Sequence, residues 1–296
     1  MPIGCNFAPG NLAYEDVDTF VEIIAMAFHI QPRLPQRIVC LTEETTETLY
    51  ALGVGDRVVG VSGFTVRPPE ARRKPKVSTF LEANIEAILE LRPDVVLAWS
   101  DLQASICAEL IRQGVEVICF NQRSLEGILS MIMRLGALVG RAAEARRYVR
   151  SLTLRLRRVA ARGSRRRYRP RVYFEEWYDP LISGIRWVSE IIALCGGEDV
   201  FEELSHYPDA KRRIIADPDE VVRRAPDIIV ASWCGKRFKP ERLRARPGWD
   251  TIPAVATNQL YEIPSSIILQ PGPAALTDGV ERMLAIFDRW EQTCRG

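Results

Sequence analysis

The sequence predicts an α/β protein of two lobes, each with a central, mainly parallel sheet flanked by helices, joined by one long helix. Three observations carry this expectation. Short apolar β-branched runs alternate with helix-patterned segments along most of the 296 residues, the signature of parallel sheets covered on both faces. A loose duplication is present: EAILELRPDVVLAW (86–99) and EVVRRAPDIIVASW (220–233) share an acidic start, a Pro-Asp break, a buried run and a closing Trp. Anchoring both on Pro-Asp slips the Glu and the Trp by one residue each. Between the two series lies a proline-free, strand-free run rich in Arg, Ala and Leu.

Residues 1–35 form an N-terminal extension. Within it, VDTFVEIIAMAFHI (17–30) carries an apolar face at helical spacing, interrupted by Asp18 and Glu22, and Pro32 and Pro35 separate it from the first strand. MPIGC lacks the basic start and apolar core of a secretory signal, although Ile3-Gly4-Cys5 resembles the end of a lipoprotein signal. The first lobe, 36–140, reads as strand 37–41, helix 46–52, strand 57–62, helix 84–91, strand 95–99, helix 103–113, strand 115–120 and helix 124–139. Connector 141–168 begins as one helix, which at roughly 20 residues would span about 30 Å. It ends in GSRRRYR (163–169), expected to be a charged, solvated loop. The second lobe, 169–296, reads as strand 171–177, helix 188–194, strands 227–233 and 259–263, and helix 273–292.

Composition narrows the function. A formal net charge of +2 gives no chain-wide attraction to nucleic acid or membrane. The seven Cys include no CxxC pair, which leaves out a zinc ribbon or a dithiol redox motif; Cys40, Cys107, Cys119 and Cys195 lie in apolar runs and read as small buried hydrophobes. Only His29 and His206 are present, too few for a multi-His metal site or a base-plus-nucleophile pair. Gly53-Val54-Gly55 follows a helix rather than a strand, and Phe64 replaces the last Gly of a nucleophile elbow. No catalytic residue, resident metal or cofactor is expected.

Aromatic residues remain. Ligands of open parallel sheets bind outside the strand carboxyl ends. Trp99, Trp177 and Trp233 each close an expected strand, Phe64 follows another, and Phe80 ends the KVSTF run. Each could equally fill a core. As a set they suit a cleft for a large, flat, partly apolar ligand.

VVGVSGFTVRPPEAR, VSTF, NIEAILELRPDVVLAW and EEWYDPLISGIRWVSEIIALCGGEDVF resemble the helical-backbone substrate-binding proteins of ABC importers, and within them the cobalamin-binding branch. The resemblance runs from about residue 37 to the C-terminus. It implies cobalamin or a related corrinoid as transported ligand, no bond chemistry, a permease dimer as partner, a monomeric receptor, and a periplasmic or cell-surface location. With no signal visible, a cytoplasmic corrinoid-handling protein or an enzyme on the same fold stays open. The resemblance places Phe64, Phe80 and Trp99 in the cleft, although the enteric receptors have Tyr and Trp at the first two positions. It also turns Thr42, Glu43 and Glu44 toward the cleft. Trp177, Tyr178, Trp187 and Trp233 are cleft candidates from their positions here. Glu86 matches a docking carboxylate that engages permease arginines, with Asp219 or Glu220 its counterpart; an acid at a helix start also simply complements the helix dipole. Too few His argue against a zinc or manganese receptor. Arg67 and Arg186, expected near the cleft, keep an iron-siderophore ligand open, with haem as the other sibling.

Overall fold

The computed structural model describes residues 33–294 and Val21; the helix expected over 17–30 otherwise lies outside the described residues. In the first lobe, β1 (Ile38–Cys40), β2 (Val58–Ser62), β3 (Lys76–Ser78), β4 (Val95–Trp99) and β5 (Val117–Phe120) form a wholly parallel sheet in the order β3-β2-β1-β4-β5. The chain builds outward from β1 on one side, then crosses to β4 on the other. That reversal opens a crevice at the carboxyl ends of β1 and β4. Helices α1 (Glu43–Ala51), α2 (Ile85–Glu90) and α3 (Ala104–Arg112) lie between strands of the sheet, and α4 (Leu125–Leu138) follows β5. Asn84 starts α2 by accepting the Ala87 N–H, and Ser124 starts α4 by accepting the Gly127 N–H, each satisfying a donor that the helix cannot.

Helix α5 (Ala142–Gly163, 22 residues) follows α4 and runs about 33 Å. The second lobe holds β6 (Arg171–Tyr178), β7 (Leu181–Ser183), β8 (Glu198–Asp199), β9 (Ile228–Ala231) and β10 (Leu260–Glu262), with order β10-β9-β6-β7 and β8 beside the start of β6. All pairings are parallel except the β6–β7 hairpin, where Asp179-Pro180 turns the chain. β3, β7 and β8, of two or three residues each, were not among the strands expected from the sequence. The principal helices here are α6 (Arg186–Leu194), α7 (Asp219–Arg224) and α8 (Val280–Thr293).

Strand parity sorts the core. Ile38, Cys40, Val95, Leu97 and Trp99 face one side of the first sheet, while Val39, Leu41, Val96 and Ala98 face the other, as the two-residue period requires. Val172, Phe174, Ile228 and Val230 of the second sheet join the first group. This continuous core takes in Leu152, Leu156 and Val159 of α5 and Trp187, Val188 and Ile191 of α6. Tyr173, Ile229, Ala231 and Trp233 face a separate cluster.

Two expectations are corrected. Arg166 is not a solvated loop residue: its guanidinium is buried, bonded to the Cys195 carbonyl and paired with Asp288 and Glu291 of α8. Cys119 is exposed because β5 is an edge strand, whereas Cys40, Cys107 and Cys195 are buried.

Candidate ligand cleft

At the carboxyl edge of β4 lies a cavity of about 500 Å³ whose walls come from both lobes. Phe80, Trp99 and Leu102 supply the first-lobe wall; Ile185, Trp187, Arg213 and Cys234 belong to the second. Phe80 meets Trp99 edge-on with ring centroids 6.0 Å apart, and Trp99 meets Trp187 at 6.2 Å and 79°. Both indoles are anchored: Trp99 Nε1 donates to the Gln122 carbonyl at 3.2 Å and Trp187 Nε1 to the Ile268 carbonyl at 2.8 Å. The T-shaped aromatic column is therefore held in place, with Trp99 and Trp187 buried and Phe80 its more accessible ring.

The charges lining the cavity are largely matched. Arg213, 2% exposed, grips Glu176 through Nη1 at 2.6 Å and Nη2 at 3.0 Å, the paired-fork geometry that neutralises a buried guanidinium. Arg123 lies 5.0 Å over the Trp99 ring, pairs with Asp101 at 3.0 Å, and donates to the Pro208 carbonyl of the opposite lobe at 2.8 Å. Gln270 lines the same cavity, 9% exposed, and its Oε1 has no hydrogen-bond partner among the described residues; nor has Arg213 Nε. Both atoms are closed to solvent, so neither is presented to the cavity.

Of the residues singled out in the sequence, Phe80, Trp99 and Trp187 come together here. Thr42, Glu43 and Glu44 are buried behind the cavity wall: α1 begins at Glu43, three residues earlier than expected, and Thr42 Oγ1 donates to Glu44 Oε1 at 2.6 Å. Burial raises the Glu44 pKa to about 8 and also raises that of Glu43, which accepts from Ser62 at 2.9 Å. Phe64 is 49% exposed and outside the cavity lining. Trp177, Tyr178 and Trp233 stack on one another at 4.9 and 4.6 Å beside a separate hollow of about 280 Å³ rimmed by Lys236, Arg237, Lys239 and Arg242. Trp233 Nε1 is held there by buried Glu175, itself paired with Arg246.

Neither arginine expected near the cleft lines this cavity: Arg67 pairs with Glu47 and Asp278, and Arg186 with Glu190. Arg186 instead borders a broader groove of about 870 Å³ along β5 and α4, which lies at the sheet edge. Arg123, Glu176, Arg213, Cys234 and Gln270 carried no sequence signal because they sit on strand ends and loops without periodicity. On the surface, Glu86 opens α2 and Asp219 opens α7. Each is exposed and, among the described residues, in no ion pair, whereas Glu220 is paired with Arg223 and Arg224. Among the described residues no group of three or more His, Cys, Asp or Glu could hold a metal ion.

Two α/β lobes joined by a long helix, with a rigid aromatic cleft at the strand carboxyl ends, define a ligand receptor of the substrate-binding class. The chain belongs to the periplasmic binding protein family, whose pattern matches residues 38–267. It is 27% identical over 251 residues to a vitamin B12-binding protein of Vibrio parahaemolyticus, covering 83% of this chain and 87% of that one. It is 28% identical over 264 residues to an uncharacterized ABC transporter substrate-binding lipoprotein, YvrC, of Bacillus subtilis, covering 84% and 79%. A periplasmic heme binding protein of Pseudomonas aeruginosa shares the fold, with TM-score 0.73 at 23% identity, covering 86% of this chain and 93% of that one.

Proposed function

We propose that this protein receives cobalamin or a related corrinoid in the interlobe cleft and delivers it to an ABC importer at the cell exterior, making and breaking no bond of the vitamin's framework. The observation that carries the reading is the half-buried Phe80 ring, backed edge-on by the buried Trp99 and Trp187, beside arginines whose charge is already matched. A corrin is flat, apolar on its faces and rimmed by neutral amides. It packs on Phe80, the accessible ring of the column, and on the apolar lining that Leu102, Ile185 and Leu269 add. A polyanionic siderophore needs several unmatched cations; the cleft arginines are committed to Glu176 and Asp101, and Lys211 is the lining cation outside any ion pair among the described residues. The similarity to a vitamin B12-binding protein spans most of both chains and supports the same choice.

Permease docking is assigned to Glu86 and Asp219. In parallel β-α-β units a helix starts at the strand carboxyl edge, so α2 and α7 present these carboxylates on the cleft side of each lobe, unpaired and able to accept charge-assisted hydrogen bonds. Ligand identity is tested by titrating the purified chain with cyanocobalamin, followed by Trp fluorescence and calorimetry, with ferric siderophore and haemin as competitors. Saturable quenching that neither competitor reverses is expected. Absence of any corrinoid response refutes the reading.

A further inference from the structure

We propose that the cationic hollow of the second lobe is a binding site for a phosphate-bearing anion, separate from the interlobe cleft and independent of what the cleft holds. The hollow, of about 280 Å³, is lined by Tyr178, Trp233, Lys236, Arg237, Lys239 and Arg242. Tyr178 ends β6 and Trp233 follows β9, so the site lies at the carboxyl edge of the second sheet. Its lining includes four cations and no acid, and among the described residues none of the four is in an ion pair. Two of the charges are placed directly. The Lys236 ammonium lies 5.3 Å from the Tyr178 ring centroid and 3.0 Å from its hydroxyl, and the Arg242 guanidinium lies 4.6 Å from the same centroid. Like charges held against one ring repel, and an anion bound beside both removes that cost.

The aromatic wall of the hollow is fixed. Tyr178 packs on Trp233 at 4.6 Å, and Trp233, 3% exposed, donates Nε1 to Glu175 at 3.0 Å. The buried Glu175 carboxylate is committed to Arg246 at 2.6 and 3.1 Å, and Glu262 accepts the Phe238 N–H at 3.1 Å, so neither neutralises the rim. The same positive field holds the Tyr178 hydroxyl below its usual pKa, with the Lys236 hydrogen bond the largest cause and Arg242 adding to it. The contact with Tyr178 uses one of the three ammonium donors of Lys236 and leaves two. A phosphate group suits this set, because it spreads its charge over several oxygens that an ammonium and planar guanidinium forks can share. Tyr178 and Trp233, expected from the sequence to line the ligand cleft, thereby acquire a separate role as the wall on which these cations are arrayed.

Two arms of one test separate free from lipid-borne phosphate. With the full chain at physiological ionic strength, calorimetry measures pyrophosphate binding, and co-sedimentation measures binding to phosphatidylcholine vesicles with and without phosphatidylglycerol. Saturable binding of pyrophosphate, of the phosphatidylglycerol vesicles or of both is expected, and the arm that responds identifies the source. The double variant Lys236→Gln/Arg242→Gln should weaken that binding about tenfold or more, the loss expected of charge-assisted hydrogen bonds. Arg157→Gln/Arg158→Gln, which removes two exposed cations of α5, should bind as the parent does. No binding in either arm, unchanged binding by Lys236→Gln/Arg242→Gln, or an equal loss in the α5 variant overturns the site. Citrate, an anion of carboxylates alone, bound as tightly as pyrophosphate would overturn its assignment to phosphate.

Discussion

Replacing Glu44 by Gln should remove a pH dependence built into the wall behind the cleft. Glu44 is fully buried beneath Gly272, whose backbone sits so close that an added Cβ would come 2.4 Å from Glu44 Cβ. Burial raises its folded pKa from 4.5 to about 8. The folded carboxyl thus stays neutral where the unfolded one ionises. The stability linked to this group is fully present below pH 4.5, declines as pH rises from there, and is lost by pH 8. At about 1.4 kcal/mol per pH unit, with the slope flattening as the folded group begins to ionise, the loss between pH 6 and pH 8 comes to about 2 kcal/mol. Gln keeps an acceptor for the Thr42 hydroxyl and supplies an amide donor toward Gln122, whose Oε1 has no other partner among the described residues. Urea unfolding followed by Trp fluorescence at pH 6, 7 and 8 measures the difference. Stability of the Glu44→Gln protein should fall by about 2 kcal/mol less across that range than that of the parent. Parallel curves would show that Glu44 is ionised in the folded chain and refute the argument.

Phe80→Ala, which removes one half-buried face of the aromatic column, should weaken cyanocobalamin binding about tenfold to a hundredfold in a fluorescence titration, in line with about 1.5–3 kcal/mol for a buried Phe. Glu86→Ala combined with Asp219→Ala should leave that affinity unchanged and abolish importer-coupled uptake. Glu220→Ala alone should retain uptake, because its carboxylate is already held by Arg223 and Arg224. Gly196→Ala should cost about 2–4 kcal/mol in thermal unfolding, since Gly196 has φ +86° and its Cβ would lie 2.4 Å from the Gly163 carbonyl oxygen at the end of α5.

The alternation of strands and helices, the long connector and the family resemblance were legible in the sequence because each depends on local composition and spacing. Strand 95–99 and the helix over most of 141–162 appear where the pattern put them. The α1 start was missed because Glu43 and Glu44 read as a polar turn, whereas α1 buries both carboxyls. Cys119 was misplaced because an apolar run does not reveal whether a strand is central or at an edge.

The duplicated phrase shows where sequence stops. By itself it determined two similar β-strand units, each with an acidic helix start and a Trp at the strand end. It could not determine where each Trp points. Measured from Pro-Asp, Trp99 falls at the fifth residue and Trp233 at the sixth, so the two strands match from Val95 with Ile228 to Trp99 with Ser232. One residue of slip turns a strand side chain to the opposite face. Trp99 therefore enters the shared core and the cleft, while Trp233 joins the separate cluster with Phe238 and Tyr178. Only tertiary structure makes that parity matter, because it is the packing of both sheets against α5 and α6 that gives one face of each sheet to the cleft side and turns the other away.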